Sequence, residues 1–212
     1  MAFSDLTPYQ QISVYLFSIL IVCLGVLILY MALKAKKAEQ ERKYYFISIA
    51  IFAILYMVCR ILLLIDYINP LPPLSPLYIW GSFFAVLGVA GLMFAVEKYV
   101  YQKLKFFPSI CILIFSTLIL LFPGDATTRF VTIWVSIGTA FAIIIPILYL
   151  KVGFNSSGEI RKNSLEIAFG ILLFFIGNAM NTGFLTNIYE IFFILAPITM
   201  IIGLVLFQFG FK

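Results

Sequence analysis

The sequence predicts an all-α integral membrane protein, a bundle of seven helices crossing a lipid bilayer. Three observations carry that expectation. The 212-residue chain is 64% hydrophobic and 11% charged, with a mean hydropathy of +1.13, too apolar for a surface that faces water. Seven apolar runs occupy residues 11–33, 44–65, 77–97, 106–122, 129–150, 165–182 and 188–210. Each approaches the roughly 20 residues needed to cross a hydrocarbon core ~30 Å thick. Finally, the cations are confined to alternate gaps between the runs.

Twelve of the fourteen Lys and Arg residues fall in those gaps: Lys34, Lys36, Lys37, Arg42 and Lys43, then Lys98, Lys103 and Lys105, then Lys151, Arg161 and Lys162, and Lys212 at the end. The other gaps hold Asp5, Asp66 and Asp125, with Arg129 as their one cation. Basic loops stay cytoplasmic, so the N-terminus is expected outside the cell membrane and the C-terminus inside. The net charge of +5 follows from that bias. It points to anionic lipid heads, not to nucleic acid.

Taken in order, the first span follows Met-Ala-Phe-Ser-Asp-Leu-Thr-Pro, which lacks the basic region of a secretory signal, so the first run reads as a retained helix. The link between the second and third spans, Asp66 to Pro76, carries four prolines and reads as a stiff extended cap. The third span has a small-residue stripe, Gly81, Ala85, Gly88, Gly91 and Ala95, which lets helix backbones approach closely in lipid. Pro108 falls at the start of the fourth span, where it is tolerated. Pro146 and Pro197 in the fifth and seventh spans predict kinks. Asn163-Ser-Leu-Glu166 and Asn187-Ile-Tyr-Glu190 have the spacing of a capping box at the sixth and seventh helix starts. Glu97 and Glu166, beside Lys98 and Lys162, read as interfacial charges or caps.

A weak internal repeat is present. Ile28-Leu-Tyr30 with Arg42-Lys43 matches Ile147-Leu-Tyr149 with Arg161-Lys162 at an offset of 119 residues. Trp80-x-x-Phe-Phe84 echoes Tyr189-x-x-Phe-Phe193. A parallel 3+1+3 repeat is one reading; interfacial Tyr and basic residues at every inner loop is the other. The 3+1+3 pattern resembles that of PQ-loop sugar transporters, but the chain has no Pro-Gln pair and no proline in the second or sixth span.

Composition also limits chemistry. The sequence contains no histidine, which excludes His-ligated zinc, a Ser-His-Asp triad and His proton relays. Size and topology resemble those of a microbial rhodopsin, but no lysine lies between Thr186 and Phe211 to form a retinal Schiff base. No cofactor is expected. Cys23, Cys59 and Cys111 all lie in apolar runs and read as small buried hydrophobes. Paired acid–base or nucleophilic groups are not found, so an enzyme is not expected.

The polar residues inside the spans define a candidate ligand site. Tyr56 and Arg60 share one face of the second span. Thr132, Ser136 and Thr139 line the fifth, Asn178 and Asn181 end the sixth, Glu190 begins the seventh, and Trp80 sits at the outer end of the third. At ~1.5 Å per residue all of them fall in the outer half of the membrane, with Glu190 the natural partner of Arg60. The inner halves, such as Ile143-Ile-Ile145, are dry. These features predict a receptor-like sensor with an outward-facing pocket for a small, anionic extracellular ligand. A separate partner at the basic inner loops would read the signal, because those loops are too short to hold an output domain. A small-solute transporter or channel built on the repeat, and a non-catalytic assembly subunit, are the other two readings.

Overall fold

A computed structural model describes residues 6–68, 75–124, 130–181 and 188–212, the side chain of Glu41 excepted. The proline-rich link from 69 to 74, Asp125, Arg129 and Asn187 lie outside the described residues. Among the described residues there is helix and no strand. The helices are α1 Pro8–Lys37, α2 Gln40–Ile68, α3 Pro76–Tyr99, α4 Phe107–Leu121, α5 Phe130–Ala142, α6 Ile144–Phe154, α7 Gly158–Met180 and α8 Phe192–Phe209. A one-turn 3-10 helix, Gln102–Leu104, joins α3 to α4.

Six segments are long and apolar enough to cross a membrane: Pro8–Lys37, Arg42–Ile68, Pro76–Tyr99, Phe130–Phe154, Gly158–Met180 and Phe192–Phe209. The protein is therefore built as a multi-pass membrane protein. The remaining helix, α4, has 15 residues, about 22 Å at 1.5 Å per residue. Its surface is equally apolar, with Phe107, Ile110, Leu113, Ile114 and Leu121 exposed. Exposed side chains of this kind also run along α1, from Ile12 through Val22 and Leu29 to Leu33. Water would tolerate such stripes poorly, whereas hydrocarbon does not penalise them.

The helices extend past the apolar runs at their basic ends. The α1–α2 link, which lies between apolar runs that end at 33 and resume at 44, shrinks to residues 38 and 39, and the α6–α7 link to residues 155–157. Lys, Glu and Gln are good helix formers, so the backbone keeps its helical hydrogen bonds beyond the hydrocarbon edge. For this reason the capping box at Asn163 does not form. The chain turns at Gly158 (φ +61), α7 begins there, and Asn163 and Glu166 lie inside the helix. Glu166 instead meets Lys162 one turn earlier at 3.9 Å. A capping box does form at the start of α1. The Thr7 amide donates to Gln10 Oε1 at 2.9 Å, and the Gln10 amide donates to Thr7 Oγ1 at 3.4 Å, with Pro8 at the first helical position.

The prolines behave differently from one another. Pro108 sits in the first turn of α4, where no amide donor is needed. Pro146 has no amide to offer the Ala142 carbonyl, and the fifth span breaks at Ile143 into α5 and α6. The next bond, from the Ile147 amide to the Ile143 carbonyl, is 3.4 Å long. Pro197 causes no such interruption. α8 runs unbroken through it, after an opening wound on Phe192 amide to Tyr189 carbonyl (3.1 Å) and Phe193 amide to Glu190 carbonyl (3.0 Å).

The chain forms two compact units, Met1–Cys23 with Ile143–Lys212, and Leu24–Ala142. In the second of these, α3 packs along α2 and is flanked by α4 and α5. The expected glycine stripe supports this: a Cβ on Gly88 would lie 3.3 Å from the Phe52 carbonyl oxygen, and one on Gly81 would lie 3.1 Å from the Leu63 side chain. Aromatic stacking ties α4 to α5, with Phe115 against both Trp134 and Phe141.

In the unit containing Ile143–Lys212, α7 packs along α8 and against α6. The α7–α8 contact is backbone on backbone. A Cβ on Gly203 would stand 2.6 Å from the Gly170 carbonyl oxygen and 2.6 Å from the Phe174 amide nitrogen. One on Gly177 would stand 2.7 Å from the Ala196 carbonyl oxygen, and one on Gly210 would stand 2.8 Å from that of Asn163. Association in lipid relies on such close van der Waals contact, since apolar side chains gain nothing by leaving lipid. Gly203→Ala and Gly170→Ala are expected to force the helices apart and cost about 1–3 kcal/mol each. Gly25→Ala and Gly91→Ala, where a Cβ meets nothing within 4 Å, should be neutral or stabilise by up to about 1 kcal/mol. Thermal unfolding in detergent distinguishes the two pairs; equal melting temperatures for all four variants would contradict the close approach.

Candidate functional site

Arg60 lies on α2, eight residues before that helix ends at Ile68. A charged side chain at such a depth costs ~2.5–3.5 kcal/mol on insertion scales and is normally paired or functional. Arg60 does not reach for the near end of its helix. Its guanidinium turns back one turn, donates from Nη2 to the Tyr56 hydroxyl, and lies over the Tyr56 ring at 4.9 Å from the centroid. Arg60 is 3% exposed and Tyr56 2%. The protein, not an interface, solvates this cation.

The local sequence explains why both residues point inward. Phe52, Cys59 and Leu63 border the glycines of α3, and Phe52, Tyr56 and Cys59 are buried together on that side of α2. Spacings of three and four keep Tyr56 and Arg60 on the packed side. The Tyr56 ring also meets Phe52 at 5.9 Å. An aromatic ring and a hydroxyl on one neighbour offer cation–π attraction and an acceptor together.

The other expected site residues are placed differently. Trp80 is 46% exposed and belongs to an aromatic cluster with Phe83 and Phe84, at centroid distances of 5.7 and 5.9 Å. Thr132 and Ser136 are exposed. The Ser136 hydroxyl donates to the Thr132 carbonyl at 2.8 Å, and Thr139 Oγ1 donates to the Val135 and Ser136 carbonyls at 2.8 and 3.1 Å. Two of the three hydroxyls on α5 thus bond to their own helix, the usual way for Ser and Thr to be accommodated in an apolar surrounding.

Asn178, Asn181 and Glu190 belong to the unit that holds α7 and α8. Asn178 is half-buried in the last turn of α7. Asn181 ends that helix, its amide donating to the Gly177 and Asn178 carbonyls at 3.2 Å each. Glu190 is exposed in the turn before α8. Tyr56 and Arg60 form a direct, buried contact.

Three buried polar features escaped the sequence reading. Ser75 caps α3 by accepting from the Tyr78 amide at 3.1 Å, and its hydroxyl donates to Asp66 Oδ1, tying the end of α2 to the start of α3. Ser82 and Ser116 are buried in α3 and α4. Glu97, expected at the interface, is instead 1% exposed and accepts the Ser109 hydroxyl at Oε2. A signal for it existed. Ser82, Val86, Val89, Met93 and Glu97 recur at helical spacing, and all are buried.

Among the described residues there is no group of three or more His, Cys, Asp or Glu residues that could hold a metal. Comparison with protein-family models, with curated proteins and with solved structures finds no match to this chain. The site is defined by its own geometry, a permanent cation in a dry interior beside a phenol.

Tyr56→Phe keeps the ring but leaves the guanidinium without that acceptor. It is expected to cost about 1.5–3 kcal/mol, the range for a hydrogen bond to a charged group, and close to nothing in an Arg60→Met background. Thermal unfolding of the two single variants and the double variant checks this by a double-mutant cycle. Strict additivity would mean that Tyr56 does not carry the charge.

Proposed function

We propose that the protein is a seven-span receptor-like sensor with its N-terminus outside, binding a small anionic ligand at Arg60. The observation that carries this reading is the burial of Arg60 against Tyr56. A helix bundle gains little from a permanent cation in its interior, since replacing buried charge by apolar side chains is often neutral or stabilising. A guanidinium offers five donors in a fixed fork that suits a carboxylate or phosphate. The Tyr56 contact engages Nη2 and holds the group in place for such a ligand.

Signal output in this reading passes through the basic inner helix ends and turns at residues 34–43, 98–105 and 151–162 to a separate partner. The dry segment Ile143-Ile-Ile145, where the fifth span breaks, is the element placed to relay the change. All seven apolar segments cross in this reading, α4 among them, with the bilayer thinned around its 15 residues at a modest cost per ångström of mismatch.

A second reading, a small-solute transporter, draws support from one observation. The α2–α3 and α7–α8 pairs, spans two–three and six–seven, both pack through glycines, as two copies of a repeat would. Reconstitution separates the readings. Purified protein in liposomes is expected to gain thermal stability with small carboxylates or inorganic phosphate in an Arg60-dependent manner, and to move none of them across the bilayer. Uptake abolished by Arg60→Met would favour the transporter. No stabilisation by any of these anions would remove the sensor reading.

A further inference from the structure

The carboxyl of Glu97 lies near the far end of α3 from Ser75, among the basic residues, and plays no part in the reading above. We infer that Glu97, together with Ser109, is a proton-binding site that closes the corner between α3 and α4.

The side chain is 1% exposed. Oε2 accepts the Ser109 hydroxyl, and Oε1 is buried with no hydrogen-bond partner. Among the described residues no cation lies within ion-pair distance of Glu97. The candidates for that role are accounted for. Lys98, its neighbour in sequence, lies over the Tyr44 and Tyr99 rings, 5.9 and 5.4 Å from their centroids. The start of α2 brings Arg42, Lys43, Tyr44 and Tyr45 to this end, the 3-10 turn and its exit bring Lys103 and Lys105, α4 brings Cys111, and α5 brings no titratable group. A carboxylate left in such surroundings with one hydroxyl donor takes up a proton instead of staying charged. The Ser109 hydroxyl both donates and accepts, so it serves the acid as well as the anion.

The same corner stores strain. Lys105 and Phe106 are consecutive non-glycine residues in the left-handed region, at φ 51 and φ 62, a conformation that persists only where neighbours enforce it. Two contacts enforce it here. The Phe106 ring stacks on Phe94 with centroids 4.9 Å apart, and Ser109, in the first turn of α4, is held by Glu97. When the acid O–H breaks, the proton leaves to water and the electron pair stays on the carboxylate. The charge then draws water into the corner, the hold on Ser109 loosens, and the strained turn relaxes. Protons, bound more tightly by the closed form than by the open one, stabilise it by mass action.

The test uses the full chain in nanodiscs with Cys23 and Cys59 changed to Ser, so that the half-buried Cys111 of α4 reports opening through its reaction with a small maleimide. The ratio of the rate to that of the same protein carrying E97Q cancels the titration of the thiol itself. That ratio should be near one at acid pH, rise by up to about tenfold per pH unit while the closed form still holds a proton that the open form has lost, and level off once the closed site empties. Infrared spectra of the unaltered chain should show a carboxylic acid C=O band that shifts in E97D and fades where that rise levels off, equally in sodium and choline buffers. This second measurement decides the matter alone if the cysteine variants do not fold. Fast labelling of the E97Q protein at every pH, absence of the acid band, or dependence on sodium would each overturn the proposal, the last by making the ligand a metal cation.

Discussion

Hydrocarbon offers no hydrogen bonds, and almost every feature of this chain follows from that. Each amide and carbonyl in the spans has to be satisfied within its own segment, so the described residues are helical and short-linked. Polar side chains obey the same constraint. Ser18, Ser48, Thr117, Ser136, Thr139 and Thr199 all donate to a carbonyl four residues back on their own helix or close to it. The Thr7–Gln10 box and the Ser75 cap do the same for exposed helix starts. Against that background a buried guanidinium and a buried carboxyl are conspicuous, because neither can be satisfied by its own helix alone.

A second consequence concerns packing. Apolar side chains have no reason to prefer protein over lipid, so close contact has to come from geometry. Glycine supplies it where backbones meet, at Gly170, Gly177, Gly203 and Gly210 between α7 and α8 and at Gly81 and Gly88 between α2 and α3. The polar chemistry hangs on the α2–α3 contact. It faces Phe52, Cys59 and Leu63 inward, and Tyr56 and Arg60 follow from helical phase.

The positions of the apolar segments were legible in the sequence because hydropathy over twenty residues is a strong, additive signal. Their ends were not. Lys, Glu and Gln extend helices beyond the hydrocarbon edge, which moved the start of α7 back to Gly158 and dissolved the supposed cap at Asn163. The break at Ile143 was legible from Pro146, whereas Pro197 produced no break. Within the site, the Tyr56–Arg60 contact was legible from a spacing of four. The inward turn of the guanidinium was not, since the same spacing fits a side chain reaching outward. Glu97 was misread because it stands beside Lys98 at the edge of an apolar run, although its helical phase with Met93 and Val89 marked the buried side. The hydroxyls of Ser136 and Thr139 on α5 bond to their own helix, and spacing does not reveal how a hydroxyl is satisfied.

Orientation and crossing number stand behind the whole functional account, and α4 is the helix on which both turn. Lys37 and Tyr189, exposed at the end of α1 and before α8, are separated by five apolar segments if α4 crosses and by four if it does not. Single cysteines at these two positions in a cysteine-free background, treated on intact cells with a membrane-impermeant thiol reagent, measure this directly. The account predicts labelling at position 189 and none at position 37 until the membrane is permeabilised. Labelling of both, or of neither, would place the two positions on one side and contradict the seven-span arrangement; labelling at 37 alone would invert it.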